Sequence, residues 1–246
     1  MDLLEWSGHQ HERHPWERAR AAFFTRIVRD AVKAPIRLLD VGSGDGWLAR
    51  SLLDALPPGS EATCCDTGYS PEILAKLPSR DRVRYAASPP EERFDLVLLL
   101  DVLEHVRDDQ AFATELVANR LEPGGLLLAS VPAWQRLYSQ HDELLGHERR
   151  YSPAACAELL RRSGLEPLAS GGLFHSLLVP RALRRAAEAT GLLPPPAHVG
   201  EWRAGRLVTG ALLAALSVDC AASAVLSRRG LVVPGLSWWA LCRKLP

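Results

Sequence analysis

The chain has 246 residues, 47% of them hydrophobic and 24% charged, with 29 basic and 29 acidic side chains in balance. That length allows one large α/β domain, or a domain with an appended lobe. A net charge of zero gives no global field favouring nucleic acid or anionic lipid. The five cysteines, Cys64, Cys65, Cys156, Cys220 and Cys242, include no CxxC pair and no even framework. The opening Met1-Asp2-Leu3-Leu4-Glu5 is not a secretory leader, so reduced thiols and a cytoplasmic location are expected.

In chain order, residues 16–33 place Phe23, Phe24, Ile27, Val28, Ala31 and Val32 on one helical face, and Pro35 stops that helix. "IRLLDV" then reads as a buried parallel strand, followed by the glycine-rich "GSGDG". Leu48, Leu52 and Leu56 recur every four residues, predicting a helix up to Pro57-Pro58-Gly59. "EATCCD" is a second strand, "PEILAKL" a helix, "RVRYAA" a third strand and "RFDLVLLLD" the fourth and most apolar. A helix over 108–121, closed by Pro123-Gly124-Gly125, leads into "LLLASV"; Ser152-Pro153 starts another helix and Gly164 stops it. "LEPLASG" and "LSWWALCRKL" are two more strands, separated by a long stretch with at least two helical runs and the linker "LLPPPAHVG". Alternating strands and helices predict an α/β, doubly wound, mostly parallel sheet. The expected organisation is an N-terminal helical cap (1–34), a core (35–174), a helical insertion (175–235) and a last core strand (236–246).

The glycine cluster carries the functional signal. Glycines at the carboxyl end of a first strand let a ligand touch backbone amides, and the following helix N-terminus favours negative charge. The spacing, however, is Asp40-x-Gly42-x-Gly44-x-Gly46, with Trp47 where a dinucleotide fingerprint needs its last glycine. An acidic residue inside the loop suits an ammonium group better than a pyrophosphate. Asp66, twenty residues beyond Gly46 at the end of the second strand, is placed to take both hydroxyls of a ribose. The site therefore reads as one for a nucleoside carrying an amino acid.

"LLDVGSGDG", Asp66, "FDLVLLLDVLEHV" and "LEPGGLLLASVP", in that order over about residues 36–170, resemble the class I S-adenosylmethionine-dependent methyltransferases, in a type 11/12-like subgroup. The resemblance implies a Rossmann-like sheet of seven strands with the last antiparallel. It implies that Gly42, Ser43 and Gly44 lie by the methionine moiety with Asp40, and that Asp66 holds the ribose. Ala87 and Ser88 would flank the adenine, and Asp101 would line the site near the sulfonium. Trp16 and Arg20, in a "HPWERAR" motif of the same subgroup, would close the site. The cofactor would be S-adenosyl-L-methionine, with S-adenosyl-L-homocysteine as product.

Acceptor residues are expected after the fourth and fifth strands. There "VPAWQRLYSQHDELLGHERRYSP" gathers Trp134, Tyr138, His141, Asp142, Glu143, His147, Arg149, Arg150 and Tyr151. His141 is the first choice for a general base, since imidazole titrates near neutral pH, with Asp142 or Glu143 orienting it; His147 is the second. The alternative is a structural lid, in which Arg149 and Arg150 cap carboxylates and both histidines are merely hydrogen-bonded. Asp101, Glu104 and His105 resemble the metal ligands of ubiquinone-type O-methyltransferases and could hold Mg²⁺. "LEH" also occurs in metal-free relatives, where it shapes a helix start, so no metal is assigned. His9, His11 and His14 are a weaker metal pattern.

Between the last two strands, Arg181, Arg184 and Arg185 stand beside leucines, and the apolar run 207–226, interrupted by Asp219, precedes Arg228 and Arg229. Such a surface can dock on a membrane or admit a lipid acceptor, or it can be a helical lid or dimer face. A transmembrane helix is not expected. The reading is methyl transfer to a small or lipid-like acceptor, with oxygen preferred. N- or C-methylation in a biosynthetic pathway is the enzymatic alternative, and an inactive binding or scaffold protein the non-enzymatic one. No nucleic-acid partner is expected, and the chain would be a monomer or homodimer.

Overall fold

The computed structural model describes residues 13–78, 81–194 and 204–245. Seven strands, β1 (Arg37–Val41), β2 (Glu61–Cys65), β3 (Val83–Ala86), β4 (Phe94–Leu100), β5 (Leu121–Pro132), β6 (Leu165–Leu173) and β7 (Ser237–Lys244), form one sheet in the order β3-β2-β1-β4-β5-β7-β6. Strands β1 to β5 pair in parallel, while β7 runs antiparallel to both β5 and β6. All seven expected strands are present, including the antiparallel last one. The order reverses between β1 and β4, so the crevice used by open α/β sheets lies at the carboxyl ends of these two strands.

The apolar run of β4 explains its central place. Leu96 and Leu98 point into one core with Leu38, Phe23, Phe24 and Trp239; Val97 and Leu99 point into the other with Leu39, Leu116, Leu160 and Trp238. A strand buried on both faces needs apolar side chains at every position rather than at alternate ones.

Helix α1 (Pro15–Ala31) covers the first core together with α2 (Trp47–Leu53) and α8 (Arg206–Arg228); α4 (Asp109–Arg120) and α6 (Pro153–Arg162) cover the second. The short helices are α3 (Pro71–Leu74) and α5 (Gln140–Leu144), and α7 (His175–Ala189) precedes α8. Several helices are shorter than their sequence pattern. The one after the glycines ends at Leu53, and "PEILAKL" yields a single turn, capped by Ser70 and started by Pro71.

One face of α8 belongs to the body of the molecule, whereas α7 buries no residue fully. Leu216, Cys220 and Ala224 of α8 pack in the first core beside Ala19 and Phe23 of α1. Ser223 Oγ donates to the Gly172 carbonyl (2.6 Å) and accepts from Trp239 Nε1 (3.1 Å), which ties α8 to β6 and β7. The opposite face of α8 is exposed, with Leu207 at 90% and Val218 at 68% accessibility.

Candidate active site at the carboxyl ends of the central strands

At the end of β1 the glycine turn is shaped by backbone requirements. Gly42 has φ of 67°, and a Cβ there would lie 2.6 Å from Val102 Cγ2, so neither conformation nor space admits a side chain. Gly42 N–H and Ser43 N–H both donate to the Cys65 carbonyl, folding the turn back against β2. Asp66 accepts from Gly44 N–H through Oδ2 (2.9 Å) and from Gly68 N–H through Oδ1 (2.9 Å). It therefore braces the loop that it was expected to complement. Tyr69, which sequence reasoning did not single out, bonds Ser43 Oγ (2.8 Å) and donates to the Gly44 carbonyl (2.6 Å). Nothing local marks Tyr69, because its reach back to the turn depends on how α3 packs.

Asp40 is buried beneath the turn, and that burial pushes its carboxyl up to about 7. Ala87 and Ser88 lie exposed just past β3, at the sheet edge beside Asp66, whose N–H bonds the Ala86 carbonyl. Gly44 and Asp66 are thus joined at the ends of β1 and β2, with Ala87 and Ser88 just beyond β3 and Asp40 buried below. The fit is supported by the glycine cradle, which a Cβ would fill, and by the carboxylate at the end of β2.

Asp101 follows β4 with φ of 58°, a left-handed conformation rarely adopted by residues other than glycine. It is held there by Ser130 Oγ, which donates to Oδ1 (2.9 Å), and by Arg20, whose guanidinium pairs with Oδ2. Arg20 also stacks over the Trp16 ring at 4.4 Å, and Trp16 meets Phe174 edge-to-face. Arg20 thus reaches Asp101 from α1, with Trp16 packed beside it. Arg13, unnoticed in the sequence, pairs with Asp45 and covers the Trp47 ring at 4.4 Å. Trp134 and Phe174, at the ends of β5 and β6, share the left-handed conformation of Asp101. These three residues follow the carboxyl ends of β4, β5 and β6, and they mark where local strain is concentrated.

The segment after β5 departs from the expected pairing. Asp142 is fully buried and accepts from Arg150 Nε (2.7 Å), with its Oδ1 also 3.0 Å from His147 Nδ1. It forms a capping box with Ser139, and Arg181 of α7 reaches both Ser139 Oγ (2.6 Å) and Asp142 Oδ2 (3.4 Å). Burial raises the Asp142 carboxyl, but the His147 bond and the Arg150 charge outweigh it and hold the group well below the usual carboxylate range. Asp142 thus orients His147, five residues on, rather than its neighbour His141. The reason is helical geometry: adjacent positions on α5 point about 100° apart, while the chain turns back after Leu144. His141 is half-buried, and burial followed by the Arg181 charge lowers its pKa, keeping the imidazole neutral near pH 7. Arg149 caps Asp109 (2.7 Å), and Arg150 caps Asp142, as the lid reading expects.

Asp101, Glu104 and His105 do not gather as one ligand set, since Asp101 is engaged by Arg20 and Ser130. Glu104, in the short 3-10 turn Leu103–His105, is fully buried, with neither carboxylate oxygen hydrogen-bonded among the described residues, and burial pushes it up to about 8. His9 and His11 lie outside the described residues; His14 accepts from Trp16 N–H at the start of α1. Arg181 and Arg185 turn inward, Arg185 to the Tyr138 carbonyl (2.8 Å), instead of flanking an apolar face.

A family model described as a methyltransferase domain matches residues 9–192. Among curated proteins, the ubiquinone biosynthesis O-methyltransferase of Paramagnetospirillum magneticum is 38% identical over 103 residues, covering 39% of this chain and 40% of that protein. That of Pseudoalteromonas translucida is 30% identical over 163 residues, covering 57% of this chain and 67% of that protein. The matched stretch thus spans between two fifths and two thirds of these two relatives. Among solved structures, an S-adenosylmethionine-dependent methyltransferase from Mesorhizobium loti has a TM-score of 0.55 at 15% identity, covering 92% of this chain and 100% of that one. The [4+2]-cyclase SpnF also has a TM-score of 0.55, at 18% identity, covering 96% of this chain and 85% of that one. At such identities these structures speak for the fold alone. With the family match spanning most of the chain and the glycine turn, Asp66 and Asp101 on one rim, the chain belongs to the class I, S-adenosylmethionine-dependent methyltransferase domain family.

Proposed function

We propose that this protein transfers a methyl group from S-adenosylmethionine to a hydroxyl oxygen of a small-molecule or lipid-like acceptor. The observation that carries the reading is the shared rim at the carboxyl ends of β1, β2 and β4, where the glycine turn, Asp66 and Asp101 converge. The likeness to relatives named ubiquinone biosynthesis O-methyltransferase supports oxygen as the acceptor atom.

When bound, the sulfonium supplies an activated methyl group with a good leaving group, so the protein's tasks are alignment and proton removal. Gly42, Ser43 and Gly44 present backbone to the methionine portion, and Asp66 takes the ribose. Asp101 holds a negative charge near the sulfonium, set in place by Ser130 and Arg20. Trp16 and Arg20 exclude water from above. His141, neutral near pH 7, accepts the acceptor proton.

A lipid-like acceptor is favoured by the exposed apolar residues of α7 and α8, among them Val179, Leu183, Leu207 and Val218, beside exposed Arg206 and Arg229. Helix α8 is long and apolar enough to cross a membrane, but its packed face makes peripheral docking the better reading. The five cysteines, buried and unpaired, suit a reducing compartment such as the cytoplasm.

The test is calorimetric titration with S-adenosylmethionine, then methyl transfer to a long-chain catechol against amine and carbon acceptors. Micromolar binding with O-methyl product supports the reading. No binding, or N- or C-methyl product alone, overturns it. His141→Ala should lower kcat about 10²-fold or more with cofactor affinity retained.

A further inference from the structure

Glu104 is the feature that the proposed reaction leaves unused. Its carboxylate is completely buried, and among the described residues neither oxygen has a hydrogen-bond partner. A buried, unsatisfied carboxylate is costly, and such a group calls for an ion or a proton to complete it. One of its oxygens and one ring nitrogen each of His105 and His147 lie within 4.8 Å of one another. The two imidazoles meet edge-to-face, with centroids 4.8 Å apart.

The surrounding bonds hold the three groups together across more than forty residues of chain. Glu148 N–H donates to the Glu104 carbonyl (2.7 Å), Tyr138 Oη donates to the His147 carbonyl (2.7 Å), and His147 N–H donates to the Asp142 carbonyl (2.9 Å). The His147 ring is turned by Asp142, which engages Nδ1 and leaves Nε2 for a ligand. A carboxylate behind a histidine is the usual outer support of a metal-binding imidazole.

We propose that Glu104, His105 and His147 bind a divalent ion of the zinc class, with Asp142 as the positioning residue for His147. Two imidazoles and one carboxylate suit such an ion, whereas Mg²⁺ prefers an all-oxygen shell. The set differs from the Asp101, Glu104 and His105 triad suggested by sequence spacing, because Asp101 is committed to Arg20 and Ser130 while His147 arrives from the segment after β5. An ion held by three protein ligands keeps a position open, where an acceptor oxygen could be made more acidic. Only this use of the ion rests on the methyltransferase reading.

The experiment uses the full chain, stripped with a chelator and titrated with Zn²⁺ and with Mg²⁺ by calorimetry. Co²⁺ absorption serves as a second readout of the ligand set. Wild type should take up one Zn²⁺ per chain at least tenfold more tightly than Mg²⁺. Glu104→Gln and His147→Ala should each weaken Zn²⁺ at least tenfold and abolish the Co²⁺ ligand-field bands. Asp142→Asn should weaken Zn²⁺ about 10- to 100-fold, while Asp101→Asn should leave Zn²⁺ affinity unchanged. A variant with His9, His11 and His14 all replaced by alanine should bind Zn²⁺ as wild type does. Circular dichroism and S-adenosylmethionine binding identify any variant that has simply misfolded. The inference is overturned if wild type shows no preference for Zn²⁺, if folded His147→Ala binds it normally, or if the triple variant loses it. S-adenosylmethionine binding without Zn²⁺ binding would sink this inference alone; Zn²⁺ binding without S-adenosylmethionine binding would sink the proposed function alone.

Discussion

Two carboxylates show how residue-scale surroundings divide one chemistry into different roles. Asp66 spends its oxygens on backbone N–H groups at the rim, so Asp66→Ala removes both a loop brace and the proposed ribose partner. Its cofactor affinity should fall by about 1–3 kcal/mol in titration calorimetry; unchanged affinity would withdraw the ribose assignment. Asp142 is fully buried between Arg150 and His147. Because its folded-state pKa is depressed, the native state binds fewer protons than the unfolded chain. That stability is fully present above about pH 4, the unfolded value, and is lost as pH falls below it toward the folded value. Asp142→Asn should cost about 3–5 kcal/mol in urea unfolding at pH 7, since Arg150 is left as an uncompensated buried charge. The gap to wild type should shrink only in strong acid.

At the scale of elements, helices α1 and α8 lie together although nearly two hundred residues separate them. Their junction mixes a buried apolar contact with an exposed ion pair, and the two should differ sharply in weight. Leu216 has no exposed surface in the first core, so Leu216→Ala should lower stability by about 2–5 kcal/mol in chemical denaturation. Arg228 and Asp30, 2.6 Å apart but both on the surface, should contribute less than about 1 kcal/mol, as a double-mutant cycle would measure. The order of elements was legible because each carries its own period. "RFDLVLLLD" is apolar throughout, and Ser152-Pro153 caps a helix wherever it is placed. Helix lengths were less so. The Leu48, Leu52 and Leu56 spacing continues past Leu53, where the helix ends, because apolar spacing survives in a turn that packs on the same core.

Over the whole molecule, the packed layers leave α7 and the outer face of α8 uncovered. Wild type should co-sediment with phosphatidylglycerol vesicles, and Leu207→Asp with Val218→Asp should release it without lowering Tm. If the paired substitution instead converts a dimer into a monomer in sedimentation, that face joins two copies of the chain.

By itself the sequence determined the alternation of strands and helices, the sheet class, and the glycine turn with Asp66 at the end of the next strand. Each of these rests on local requirements: a hydrophobic period, a proline stop, or a positive φ that only glycine adopts without cost. The tertiary structure decided the pairings. Asp142 serves His147 and Arg181 rather than His141, Asp101 is taken by Arg20, and Glu104 is left facing two histidines with no donor among the described residues. Arg181 and Arg185, adjacent to leucines in sequence, turn out to clasp α5 and its entry. These contacts join residues far apart in the chain or on opposite sides of a short helix. Side-chain packing and burial set them, and neither leaves a period in the sequence.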